Sequence, residues 1–128
     1  MNPTVPVSWG ELLDKVTILE IKAERLTSET ALANVRHELS QLGPTAAKAV
    51  SLHPGVVALK GDLKRVNETL WQIEDDIRDK EAQQSFDAEF IRLARAVYHT
   101  NDQRGRLKQQ INALLKSDIR EEKQYSRY

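Results

Sequence analysis

Residues Val56–Ile77 read VVALKGDLKRVNETLWQIEDDI. The apolar positions are Val56, Leu59, Leu63, Val66, Leu70, Ile73 and Ile77, spaced three, four, three, four, three, four without a break. This is a heptad seam, the pattern of a helix that lays one narrow stripe against another helix. The rest of the chain is read as packing onto it.

Upstream, Pro3 and Pro6 keep the first seven residues extended. Ser8-Trp9-Gly10-Glu11 reads as a capping box, with Val7 and Leu12 placed as a hydrophobic staple. The helical segment that starts there is expected to cover 8–42. Leu12, Val16, Leu19, Ala23 and Leu26 form one stripe, and Ile18, Ile21, Leu32, Val35, Leu39 and Leu42 a displaced second one. The shift falls at Thr27-Ser28-Glu29-Thr30, residues that favour caps and turns. A bend at 27–30, or a new helix starting near Ser28, is expected. Gly43-Pro44 is read as the helix stop, and 43–55 as a connector that holds at most a turn or two of helix.

Downstream, the seam helix is expected over 56–84 and a third helix over 87–116. Asp87 is its N-cap, and Phe86 with Ile91 its staple. The apolar pattern of this helix is strong at both ends and interrupted at Thr100, Asn101 and Arg104. Residues 117–128 are a charged tail ending in Tyr125 and Tyr128. The fold class is therefore all-α, a single domain of long antiparallel helices. It forms a helical hairpin or three-helix bundle, completed by homodimerisation because narrow seams close compact monomers poorly.

The totals exclude several chemistries. The chain of 128 residues has no cysteine, so disulfides, thiolate metal sites and cysteine nucleophiles are out. His37, His53 and His99 fall on different elements and no Glu-x-x-His pair occurs, so no metal site is expected. No glycine-rich phosphate loop or Gly-x-Ser-x-Gly elbow is present, and no cofactor is expected. No apolar run approaches the ~20 residues of a membrane span, and the start lacks a secretory pattern; a cytoplasmic protein with no membrane partner is expected. Nineteen basic residues balance nineteen acidic ones, which argues against nucleic acid as a partner. Residues 87–116 are nevertheless net positive, with six basic against three acidic.

Two constellations carry the candidate site. Asn101 and Arg104 interrupt the third helix opposite Asn67 and Leu70. Glu20 and Glu24 are expected at the height to accept Arg104, with Tyr98 nearby. The second is the charged run from Glu74 through Arg78 to Glu81, level with Arg92 and Arg95, to which helix 1, read as antiparallel to the seam helix, is expected to bring Trp9, Asp14 and Lys15, with Trp71 beside the seam. Together, Glu20, Glu24, Asn67, Trp71, Glu74, Arg78, Arg95, Tyr98, Asn101 and Arg104 are the candidate ligand-binding residues. Each constellation also has a plain reading, as a register-setting polar layer and as a solvated helix face.

The blocks SWGELLDKVTILEIK from Ser8, LWQIEDDIR from Leu70, LARAVYHTND from Leu93 and IREEKQY from Ile119 resemble the DUF6165 family. That resemblance covers nearly the whole chain and implies a bacterial, intracellular helical protein without an assigned activity. A weaker resemblance, at the level of fold alone, is to the all-helical chorismate mutases, with Lys15, Arg25, Arg78 and Arg95 as cations for a dicarboxylate. The functional expectation is an interaction or scaffold module acting through a coiled-coil-like bundle, with itself or another helical protein as partner. The alternative is a small-anion or metabolite-binding protein, or a helical enzyme, using the mid-bundle polar layer.

Overall fold

The computed structural model describes residues 1–128 and contains four helices with no strand: α1 (Trp9–Arg25), α2 (Glu29–Leu52), α3 (Val56–Ala82) and α4 (Ala88–Leu114). Four helices stand where three were expected, because the break foreseen as one option near 27–30 is complete. The first segment breaks fully at residues 26–28. Leu26 and Ser28 are extended, and the Ser28 hydroxyl caps α2 by accepting from the Ala31 amide at 3.3 Å. Gly43-Pro44, in contrast, does not stop α2, which runs through Pro44 to Leu52.

An interior proline removes one backbone hydrogen bond and crowds the carbonyl four residues back, at a cost of about 3 kcal/mol. Here both Pro44 and Ser40 are exposed, so the freed carbonyl sits on the solvent face of α2. One turn later Ala46 and Ala49 are buried in the cluster that holds Leu13, Val16, Val56, Leu63 and Ile111. Packing of that second half outweighs the stop signal. The connector shrinks to His53-Pro54-Gly55, where the His53 ring accepts from the Gly55 amide at 3.0 Å.

The complete break turns the first segment into two helices, so that α2 stands between α1 and α3 and reverses a direction. α1 and α3 run parallel, not antiparallel: Lys60 pairs with Glu20, Lys64 with Glu24, and Arg25 lies over Trp71, so the partner numbers rise together. α4 is antiparallel to both, and its closest neighbour is α3, as a hairpin. The seam that predicts this hairpin is in place. Val56, Leu63 and Ile73 are buried, and Leu59, Val66, Leu70 and Ile77 are half-buried.

Both ends of α4 are set by turns made without glycine. After α3, Gln84 takes the left-handed conformation (φ 55°), with Gln84 N–H donating to Glu81 O and Ser85 N–H to Lys80 O. After α4, Lys116 does the same (φ 57°), with Lys116 N–H to Ala113 O and Ser117 N–H to Asn112 O. Each is a Schellman closure, which satisfies the last helix carbonyls and reverses the chain. At the start of α4 the Asp87 cap accepts from the Phe90 amide at 3.0 Å. The staple differs from expectation: Phe86 meets Phe90 edge to face at 5.2 Å, and Ile91 is exposed. No helix is long and apolar enough to cross a membrane.

Candidate functional site

The buried polar groups gather where the start of α1 meets the end of α4. The first amides of a helix have no partner inside it. In α1 all three are taken from outside. Glu11 N–H donates to the Ser8 hydroxyl at 3.1 Å, Gly10 N–H to Asn112 Oδ1 at 2.7 Å, and Trp9 N–H to the Ser117 hydroxyl at 3.0 Å. The Schellman turn at Lys116 brings Ser117 into reach. Gly10 permits the close approach: a Cβ there would lie 2.6 Å from the Lys108 carbonyl oxygen and 2.9 Å from Asn112 Oδ1. The predicted capping box is half formed, because the Glu11 carboxylate does not return to Ser8. It accepts from Lys108 Nζ at 2.9 Å instead.

Lys108 is a buried lysine held between two carboxylates, Glu11 at 2.9 Å and Glu121 at 2.8 Å. Burial by itself would lower its pKa. The hydrogen bonds to Glu121 and Glu11 outweigh that and hold it above the ordinary lysine value. Burial likewise opposes the charge on Glu121, yet the Lys108 ammonium beside it leaves its pKa below the usual carboxylate value.

One turn further along α1 sits Asp14, almost wholly buried. Arg104 grips it with both arms of the fork, Nε to Oδ1 at 2.8 Å and Nη2 to Oδ2 at 2.5 Å. The Asn67 amide donates to Asp14 Oδ1 and to Thr17 Oγ1, each at 3.0 Å. The Thr17 hydroxyl in turn donates to the Asp14 carbonyl at 2.8 Å. Hydrogen bonding to Asp14 raises the Arg104 pKa. Three helices are thus tied to one carboxylate, and the network closes on itself.

The ten predicted site residues fall into four groups. Asn67 and Arg104 meet on Asp14, not on Glu20 or Glu24, because the parallel course of α3 places Glu20 by Lys60 (3.4 Å) and Glu24 by Lys64 (2.5 Å). Trp71 joins that flank, 5.9 Å from the Arg25 guanidinium. Glu74 pairs with Arg78 at 3.6 Å on the outer part of the hairpin, where Arg95 also stands exposed. Tyr98 and Asn101 face outward, since the buried residue at the helical interruption is Thr100. Asn101 is therefore not a member of the polar layer. Of the four cations compared with the chorismate mutases, Lys15 pairs with Glu38 at 2.8 Å, and the others lie apart from it on α1, α3 and α4.

Sequence reading set Asp14 beside Glu74–Asp79 and not beside Arg104, and it missed Gly10, Thr17, Lys108, Asn112 and Ser117. A signal was present for Gly10, Asp14 and Thr17. Gly10, Leu13, Asp14, Thr17 and Ile21 lie on one stripe at helical spacing, and all five are buried. The polar members of that stripe mark where α1 meets polar groups instead of apolar ones. No group of three or more His, Cys, Asp or Glu side chains is placed to hold a metal ion.

Beside this knot the C-terminal residues return along α4. Tyr128 donates its hydroxyl to Asp102 and lies 5.0 Å from the Tyr98 ring and 4.7 Å from His99. Residues 3–128 match the family described as "Family of unknown function (DUF6165)". No curated protein and no solved structure matches the chain.

Proposed function

We propose, on the premise that the chain belongs to the DUF6165 family, that it is a helical interaction module whose outer α3–α4 hairpin pairs with a second copy. The observation that carries this reading is the surface. A compact monomer of this mass exposes roughly 6,900 Å², and this chain exposes 8790 Å². The difference exceeds the ~800 Å² that each partner buries in a standard interface.

Part of that exposed surface is apolar and lies at the tip of the hairpin. α1 ends against Trp71, so roughly 16 Å of α3 runs on past it at 1.5 Å per residue. Over that length the seam has α4 on one side only. Phe86 is 54% exposed and Ile91 58% exposed. Apolar rings at the tip of a two-helix hairpin gain most by packing against another helix pair.

Light scattering tests this directly. The expected mass is twice 14.6 kDa at tens of micromolar. Because Ile91 is already exposed, Ile91→Glu is expected to return the monomer with an unchanged helical signal. A wild-type protein that stays at 14.6 kDa under the same conditions refutes the pairing.

A further inference from the structure

All three tyrosines of the chain, Tyr98, Tyr125 and Tyr128, line one cleft of ≈ 850 Å³ between α4 and the returning C-terminal residues. The cations Arg104, Arg106 and Lys123 line it too. Arg104 is fixed from behind. Asp14 takes its Nε and Nη2, while Nη1 donates to no group in the protein. Arg106 and Lys123 are exposed and enter none of the ion pairs of the chain. The single acid in the lining, Asp102, accepts the Tyr128 hydroxyl.

The stretch of chain that builds the cleft has the same sign. Residues 95–128 carry eight basic and four acidic side chains, and the first 94 carry the opposite imbalance, eleven against fifteen. A long-range positive field with cations at its focus raises the local concentration of anions. Tyrosine faces add a preference for flat rings. The volume falls in the ~300–1,000 Å³ range of small-molecule sites.

We propose that this cleft binds a planar aromatic anion. The ring lies on the tyrosine faces, and its phosphate or carboxylate is held by Arg106, Lys123 and the free Nη1 of Arg104. The proposal does not depend on the pairing of two copies, since the outer hairpin carries that.

Calorimetric titration separates the ring from the charge. The probes are adenosine monophosphate, indole-3-carboxylate, adenosine and inorganic phosphate. At least one of the two ring-bearing anions is expected to bind about tenfold or more tightly than both adenosine and phosphate. Which of them binds distinguishes a phosphate from a carboxylate source. Arg106→Ala and Lys123→Ala are each expected to weaken it about tenfold, the effect of one charge-assisted hydrogen bond. Both residues are exposed, so folding is unaffected; Lys48→Ala on α2 is expected to bind as wild type. Equal affinity for all four probes, no binding by either ring-bearing anion, or full affinity in both cleft variants overturns the proposal.

Discussion

The two ends of α4 are built on opposite terms. At its C-terminal end, Asn112, Ser117, Lys108 and Arg104 each reach a group on α1: the Gly10 and Trp9 amides, the Glu11 carboxylate, and buried Asp14. At its N-terminal end the charges are exposed and paired locally, Arg92 with Glu89 and Lys80 with Asp87. Phe86 and Ile91 there are exposed. Buried polar contacts demand one geometry, because every unmade bond leaves a desolvated group. Exposed pairs contribute little and demand nothing. The inner end therefore fixes how three helices cross, and the outer end leaves apolar side chains exposed.

Breaking the inner end gives the largest expected effect. Asp14→Ala strands the Arg104 guanidinium and the Asn67 amide, and the expected loss is about 3–5 kcal/mol in urea unfolding. Amide exchange in the outer hairpin, residues 74–97, is expected to be fast in wild type through local opening and to change less than exchange in α1. Uniform exchange along α3 and α4 would erase the distinction between the ends.

Gly10→Ala comes next. Its Cβ meets the Lys108 backbone at 2.6 Å, so α4 has to move. Overpacking of this kind costs about 1–3 kcal/mol, read as a fall in the melting temperature. At an ordinary helix position the same change would stabilise.

The Lys108–Glu121 contact gives a smaller, pH-dependent effect. Glu121 titrates in the folded state below its ordinary value of 4.5, so its contribution is present above that value and is lost as the pH falls through the lowered one. Lys108 titrates above 10.5, so its contribution is present below that and is lost as the pH rises through the raised value. Glu121→Gln is expected to lower the urea midpoint at neutral pH and to match wild type in strong acid. Equal midpoints at neutral pH would show that the contact contributes nothing.

The smallest effect is expected at the outer turn. Gln84 holds φ 55°, a conformation that costs a side chain about 1 kcal/mol and glycine almost nothing. Gln84→Gly is expected to stabilise by up to about 1 kcal/mol, read from the urea midpoint, without altering affinity in the tyrosine cleft.

Much of this architecture was legible locally. The heptad spacing of 56–77 specifies the α3–α4 pair, and Ser8, Ser28 and Asp87 mark helix starts because a side-chain oxygen three residues before a free amide is a local arrangement. Asn67 and Arg104 were identifiable as polar residues that need a buried partner. Their partner was not, since Asp14 and Arg104 are ninety positions apart and meet only through the packing of three helices. Pro44 misled for the same reason. Its cost is local and visible, whereas the burial of Ala46 and Ala49 that offsets it is not. The Tyr98–Tyr128 cleft also depends on a chain reversal, at Lys116, that carries no glycine to announce it.

By itself the sequence determined that this is an all-helical chain, where most of its helices begin, and which stripes are apolar, because capping and periodicity act within a few residues. Only the tertiary structure decided that α2 survives its proline, that the break at 26–28 is complete and sets α1 parallel to α3, and that Asp14 becomes the joint of three helices. Those outcomes depend on summed burial and on satisfying buried donors and acceptors, quantities that exist only once distant segments have met.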